Sequence, residues 1–203
     1  VMNPGFTLDN YMTFLTSSRY LRVLYRTVKI ALIATVFALV MGYPISYKIA
    51  RTRSSLERKI CVSIVLTSFL SSILVRLFSW RIILGRTGLI NQVLDLLGFS
   101  GLHSFLRTET AVTTGLVSFL VPFVVLALVG VIDKIDPELE KAAKCLGANE
   151  ITTFFKVTLP LSMPGILAAS LLSYCLGMSA FIIPLMLGGD VIKLLANVIY
   201  DQT

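Results

Sequence analysis

The densest cluster of residues able to do chemistry lies between Asp136 and Pro160, and the chemistry it suits is recognition, not bond-making. Asp136-Pro137-Glu138 has the composition of a helix start: an N-cap acceptor, a proline at the first helical position and acid in the first turn. Leu139, Ala142, Ala143 and Leu146 follow at i, i+3, i+4 and i+7, which puts them on one apolar stripe. Gly147 suits the left-handed residue that ends a helix. Asn149 can cap a second short helix running through Phe154 and Phe155, and Leu159-Pro160 and Pro164 lead onward. The two alanines let such a helix approach a groove closely. An amphipathic helix of this kind either lies on a membrane surface or docks into a soluble partner, and the pattern allows both.

Covalent and metal chemistry have little to work with. There is no GxxxxGK[ST] phosphate loop and no nucleophile–base constellation. His103 is the single histidine, with no cysteine or acid cluster to match it, so no metal site is expected. Cys61, Cys145 and Cys175 have no metal-like spacing and imply no disulfide framework.

The elements that would carry the Asp136–Pro160 stretch are membrane helices. Of 203 residues 56% are hydrophobic, mean hydropathy is +0.85, and the excess falls in blocks. Segments at about 27–47, 60–84, 110–132 and 163–187 are each near or above the roughly 20 residues that span a bilayer. Their pattern does not alternate, which excludes the strands of a transmembrane barrel. The net charge of +7 sits mainly in short loops between the spans, which argues for topology rather than nucleic acid. The basic turn with Lys48, Arg51, Arg53, Arg58 and Lys59 and the loop 133–162 are placed in the cytoplasm. Residues 1–26, with Tyr11, Phe14, Tyr20 and Tyr25, form a lead-in at the headgroup level, and 85–108 lie outside. Residues 188–203 make an outer or re-entrant tail. Arg19, Arg22 and Arg26 fall outside as well, against the usual bias. No Asp or Glu lies within the four spans, so an ion-coupled pump has no intramembrane carboxylate to use and energy must come from elsewhere.

Glu140-Lys-Ala142-Ala143-x3-Gly147-x9-Val157-x-Leu159-Pro160 resembles the EAA signature of ABC importer permeases. Lys141 stands directly before the alanines, with Glu140 one earlier, and Val157 stands where isoleucine is usual. Gly42-Tyr-Pro44-Ile-Ser-Tyr47, Leu74-Val-Arg76-Leu-Phe-Ser-Trp80, Leu84-Gly-Arg-Thr-Gly-Leu-Ile-Asn91 and Phe181-Ile-Ile-Pro184-Leu-Met-Leu-Gly-Gly189 are similar to the spermidine/putrescine-type subfamily.

The resemblance implies an all-α, multi-pass permease of the bacterial inner membrane, with the type I importer transmembrane fold. Such permeases usually have six helices; four here, with a start at Val1 and an end at Thr203, imply one more at each end. It implies that Glu140, Lys141, Ala142, Ala143, Leu146, Gly147, Leu159 and Pro160 couple to an ATPase dimer. That partner would hold ATP and magnesium, so this chain needs no cofactor and is no enzyme itself. A second permease subunit, a periplasmic substrate-binding protein and membrane lipid complete the partners. The expected cargo is a polyamine; an opine or other amino-acid-like compound, thiamine or an iron complex is the alternative, and a non-transporting scaffold the rival class. Tyr43, Tyr47, Tyr174, Ser173 and Gly177 are candidates for the substrate pathway through hydroxyl and cation–π contacts or close helix approach. Ala169, Ser173 and Gly177 equally suit plain helix packing, and Arg76 and Arg81 suit anchoring at the interface or contact with substrate or its delivery protein.

Overall fold

A run from Thr27 to Ser46 that places a small residue on one face every three or four positions makes a helix that neighbours can approach closely. In the computed structural model, which describes residues 17–96 and 105–201, this run is part of α1, Ser18–Arg51. Thr27, Ala31, Ala34, Ala38, Gly42 and Ser46 are all buried along it. Tyr11, Phe14 and His103 lie outside the described residues. From residue 18 the expected lead-in is the first part of α1 itself.

The single span expected over 60–84 is instead two helices, α2 (Ser55–Leu70) and α3 (Ile73–Ile83), bent by 90° at Ser71-Ser72. A break leaves carbonyls of the last α2 turn without helical partners. The Ser71 N–H bonds Thr67 O at 3.0 Å, and the Arg76 guanidinium reaches back to Ser68 O and to Ser71 Oγ. Its other terminal nitrogen donates to Ser118 O at 3.1 Å, and Trp80 Nε1 donates to Ser118 Oγ at 3.0 Å. Arg76 is thus a brace across the bend.

After the short α4 (Leu89–Leu96), α5 (Glu109–Ile132) forms the centre of the bundle. It is capped by Thr108, whose hydroxyl accepts from Ala111 N, and it packs on both α1 and the long helix that ends at Met178. Leu116, Leu120, Val124 and Leu128 are fully buried there. A Cβ on Gly42 would stand 2.7 Å from Val124, which is why α1 and α5 need glycine at their crossing. Ion pairs tie both ends of α5: Glu109 to Arg26 and Lys29 of α1, and Asp133, just past its C-terminus, to Arg58 of α2.

α6 (Pro137–Cys145) leads to α7, Glu150–Met178. The last crossing therefore starts thirteen residues before the expected Met163, and it stops at Met178 rather than at residue 187. Within α7 a π-turn at Phe154–Thr158 separates two α-helical parts. Pro160 has no N–H to offer the carbonyl of Lys156, and the wider turn closes with Leu159 N bonding Phe154 O. Beyond α7 a second π-turn, Pro184–Gly188, and the short α8 (Leu195–Tyr200) fold back over the bundle end. Leu195 N bonds Thr27 Oγ1 at 3.0 Å and Asn197 Nδ2 bonds Phe181 O at 3.1 Å, so the described part of the tail is packed on α1. Among the described residues three helices are long and apolar enough to cross a membrane, and the bent pair makes a fourth crossing if taken as one.

Candidate functional site

α6 forms as its sequence punctuation requires. Asp136 Oδ1 accepts from Glu138 N at 2.9 Å and Pro137 opens the helix. At the other end Gly147 has φ +88°, Gly147 N bonds Lys144 O at 3.0 Å and Ala148 N bonds Ala143 O at 3.1 Å. Those two bonds are the Schellman pattern, which closes the helix and turns the chain. Asn149 Oδ1 then accepts from Thr152 N at 2.7 Å and starts α7 at once.

One face of α6 is turned into the bundle through a single carboxylate. Glu140 Oε1 accepts from Arg51 Nε at 3.0 Å, from Arg51 Nη2 at 2.9 Å and from Thr158 Oγ1 at 2.9 Å. Tyr47 Oη donates to Glu140 Oε2 at 3.2 Å, and Arg51 Nη1 donates to Ile135 O at 3.0 Å. The Glu140 and Arg51 side chains are only 12% and 15% exposed, so the pair is largely withdrawn from water. A half-hidden pair is stable only when its remaining lone pairs and protons are satisfied, and here they are. The knot joins the end of α1, the middle of α6 and the π-turn at the base of α7.

An aromatic layer lies against it. Phe154 meets Tyr43 and Tyr47 edge-on at centroid distances of 5.5 and 5.9 Å. Ser162 donates to Leu159 O at 2.9 Å, so its hydroxyl proton is committed and Tyr43 Oη is the donor across the 2.8 Å contact with Ser162 Oγ. Tyr43 and Tyr47, expected along a pathway, are therefore bound into the α6 attachment. Pattern reading places them on α1 but has no means of seeing partners 119 and 93 residues away.

The opposite face of α6 is uncovered. Leu139, Ala142 and Leu146 are exposed, Leu146 to 89%, and Ile151 and Phe155 extend the apolar surface onto the first turns of α7. Ala143 is half-buried. Lys141 also points outward and pairs with Glu138 at 2.6 Å. The register is thereby fixed: Glu140 faces in and Lys141 faces out. Leu159 packs against the core and Pro160 is exposed just past the π-turn, so both belong to the base of α7 rather than to the α6 surface. Arg51 and Thr158 are the site residues the sequence gives no sign of. Arg51 reads as one more basic loop residue, and Thr158 as a spacer.

Ser173 and Gly177, two of the remaining pathway candidates, lie on a packed helix edge. Ser162, Gly165, Ala169, Ser173 and Gly177 form one buried edge of α7. A Cβ on Gly177 would meet Ala31 Cβ at 3.3 Å, and one on Gly165 would sit 2.7 Å from Val131. Ser173 Oγ is buried with no hydrogen-bond partner among the described residues, while Tyr174 is half-buried. No cluster of metal-ligating side chains occurs among the described residues.

This architecture and its sequence have known counterparts. Residues 11–201 match the family described as binding-protein-dependent transport system inner membrane component. The chain belongs to that family. It is 37% identical to the spermidine/putrescine transport system permease protein PotB of Haemophilus influenzae, over 97% of this chain and 68% of that protein. It is equally similar to PotB of Escherichia coli, there over 71% of the relative. The inner membrane ABC transporter permease protein YdcU of Escherichia coli is 28% identical over 99% of this chain and 67% of its own length. Among solved structures, the bacterial ABC transporter that imports the acidic polysaccharide alginate superposes with a TM-score of 0.80 at 20% identity, covering 98% of this chain and 72% of that one. The protein is thus an ABC importer permease of the inner membrane: a transmembrane subunit, with ATP hydrolysis belonging to a separate one.

Proposed function

We propose that this permease carries polyamines of the spermidine and putrescine kind inward, and that α6 is the helix through which a cytoplasmic ATPase dimer drives it. The observation that carries the coupling role is the division of α6 into two faces. Leu139, Ala142 and Leu146 offer an apolar stripe to a partner, while Glu140 bolts the helix to α1 and α7. A helix pressed from outside can move the bundle only if it is not free to swing, and four hydrogen bonds on one carboxylate supply that stiffness. When the ATPase halves close, each α6 shifts as a body with the α1 end and the π-turn of α7, and the crossings rock with it.

The polyamine reading is supported by the 37% identity to PotB permeases over nearly the whole chain. The apolar segments 27–47, 60–84, 110–132 and 163–187 hold no Asp or Glu, so cargo selection falls to hydroxyls and aromatic rings, to a second permease subunit and to a soluble periplasmic binding protein. The alginate importer has been solved with its periplasmic protein bound, which supports a delivery partner of that kind here.

The test is uptake by the reconstituted complex. Labelled spermidine is expected to enter proteoliposomes in an ATP-dependent way and to be competed by putrescine but not by thiamine or an iron complex. Ala143→Glu and Gly147→Asp are expected to abolish uptake and release the ATPase. Wild-type uptake and ATPase association in both variants would end the docking role, and a complex that hydrolyses ATP but moves no solute would favour a scaffold.

A further inference from the structure

At the end of the bundle far from α6 three arginines share one pocket. Arg81 lies in the last turn of α3, Arg86 stands in the turn after it, and Arg107 directly precedes the cap of α5. With Leu106, Leu187 and Gly189 they line a cavity of about 530 Å³. All three are exposed, and no carboxylate among the described residues pairs with any of them. At the same end Arg26 and Lys29 are matched by Glu109, and Lys193 by Asp190 and Asp201, while Arg19 and Arg22 on the first turns of α1 have no ion pair among the described residues but do not line this pocket.

The pocket is built rather than incidental. Asn91 Nδ2 donates to Gly85 O at 3.1 Å and Arg86 O at 2.9 Å, fixing the turn that carries Arg86. Arg107 holds φ +63°, a region an arginine seldom adopts, and Arg107 N bonds Leu187 O at 2.9 Å. Gly189, at φ +55°, leaves its space beside the Arg107 side chain. Topology does not ask for this charge, because basic residues are favoured on the cytoplasmic side and this is the opposite side of the bilayer in the proposed orientation. A polyamine is a cation and is repelled here, so the pocket is not a cargo site.

We infer that the Arg81–Arg86–Arg107 pocket is the docking point for acidic side chains of the soluble binding protein that delivers the cargo. Guanidinium groups take carboxylates two bonds at a time, and a concave set of three orients an incoming acidic surface as well as attracting it. Unpaired charge on the free permease also speeds encounter, at a salt-dependent rate. The inference rests on the proposed importer reading.

The experiment uses the whole complex of permease pair and ATPase in nanodiscs, titrated with the spermidine-loaded binding protein of the same transporter at low and high salt. Arg81→Ala, Arg86→Ala and Arg107→Ala are each expected to weaken docking about fivefold or more and to flatten its salt dependence. The Arg→Lys variants should fall between, and Arg107→Glu should be rescued by an acid-to-lysine change on the binding protein. Melting temperature and basal ATPase activity report folding, and both should stay at wild type. Wild-type affinity and salt slope in the alanine variants would overturn the inference while leaving the importer intact. So would a loss of docking seen only in nanodiscs containing phosphatidylglycerol and absent in phosphatidylcholine alone, which would assign the pocket to an anionic headgroup. A wild-type complex that docks no binding protein would sink both readings together.

Discussion

The two ends of the bundle handle charge in opposite ways. At the α6 end the buried charges are turned inward and matched, Glu140 against Arg51, and the outward face sets apolar Leu139, Ala142 and Leu146 beside surface ion pairs such as Lys141–Glu138. At the far end Arg81, Arg86 and Arg107 are turned outward around a pocket, with no ion pair among the described residues. A satisfied, half-hidden pair fixes geometry, because removing either member strands the other away from water. An exposed, unsatisfied cation contributes little to folding and remains available to a partner. One end thus uses charge to hold a docking helix still, and the other uses charge as the docking feature itself.

The contrast is open to direct attack. The largest effect is expected from Glu140→Ala, which leaves Arg51 with one backbone partner and should cost about 3 kcal/mol of stability, read as a lower unfolding temperature in detergent. Uptake should fall by more than tenfold. The double variant with Arg51→Ala should recover part of the loss, since no lone charge remains; strict additivity of the two would mean that the pair does not hold the helix.

Gly165→Ala sharpens the comparison by testing packing without charge. Its Cβ would sit 2.7–2.8 Å from three Val131 atoms, so a loss of about 2 kcal/mol is expected from the same unfolding measurement. Gly147→Ala adds no clash, since nothing lies within 4 Å of its Cβ. Only the left-handed backbone is penalised, by about 1 kcal/mol, and Gly147→Asn should lose less. Equal effects of Ala and Asn would show that the turn is not what matters there.

The far end should respond least. Arg107→Asn is expected to change stability by less than about 1 kcal/mol, because the residue loses no ion pair and asparagine accepts the same φ. A drop as large as that of Glu140→Ala would erase the distinction between the two ends. Ser173→Ala should be neutral or slightly stabilising in the same assay, as the buried hydroxyl it removes has no partner among the described residues.

Much of this protein is local and so can be read along the chain. Hydropathy blocks longer than a bilayer needs produce α1, α5 and α7 whatever surrounds them, because backbone groups in lipid must bond within their own helix. Asp136, Pro137 and Gly147 set the limits of α6, and Asn149 the start of α7, through contacts no more than three residues away. The motif spacing pointed to the permease family for the same reason: it lies within one short stretch.

What only the tertiary structure decided is where those elements touch. Hydropathy is continuous through Ser71-Ser72, so the 90° bend, braced by Arg76 against Ser118 of another helix, could not be read from α2 and α3 alone. The missing N–H of Pro160 marks a weak place in α7, but the choice of a π-turn there depends on what packs around it. The sense of Glu140 was decided the same way. As a sequence position it belongs to a docking surface; in space Arg51, 89 residues away, draws it inward and leaves Lys141 outside. Ion pairs form by distance in space, and a chain pattern records only distance along the chain.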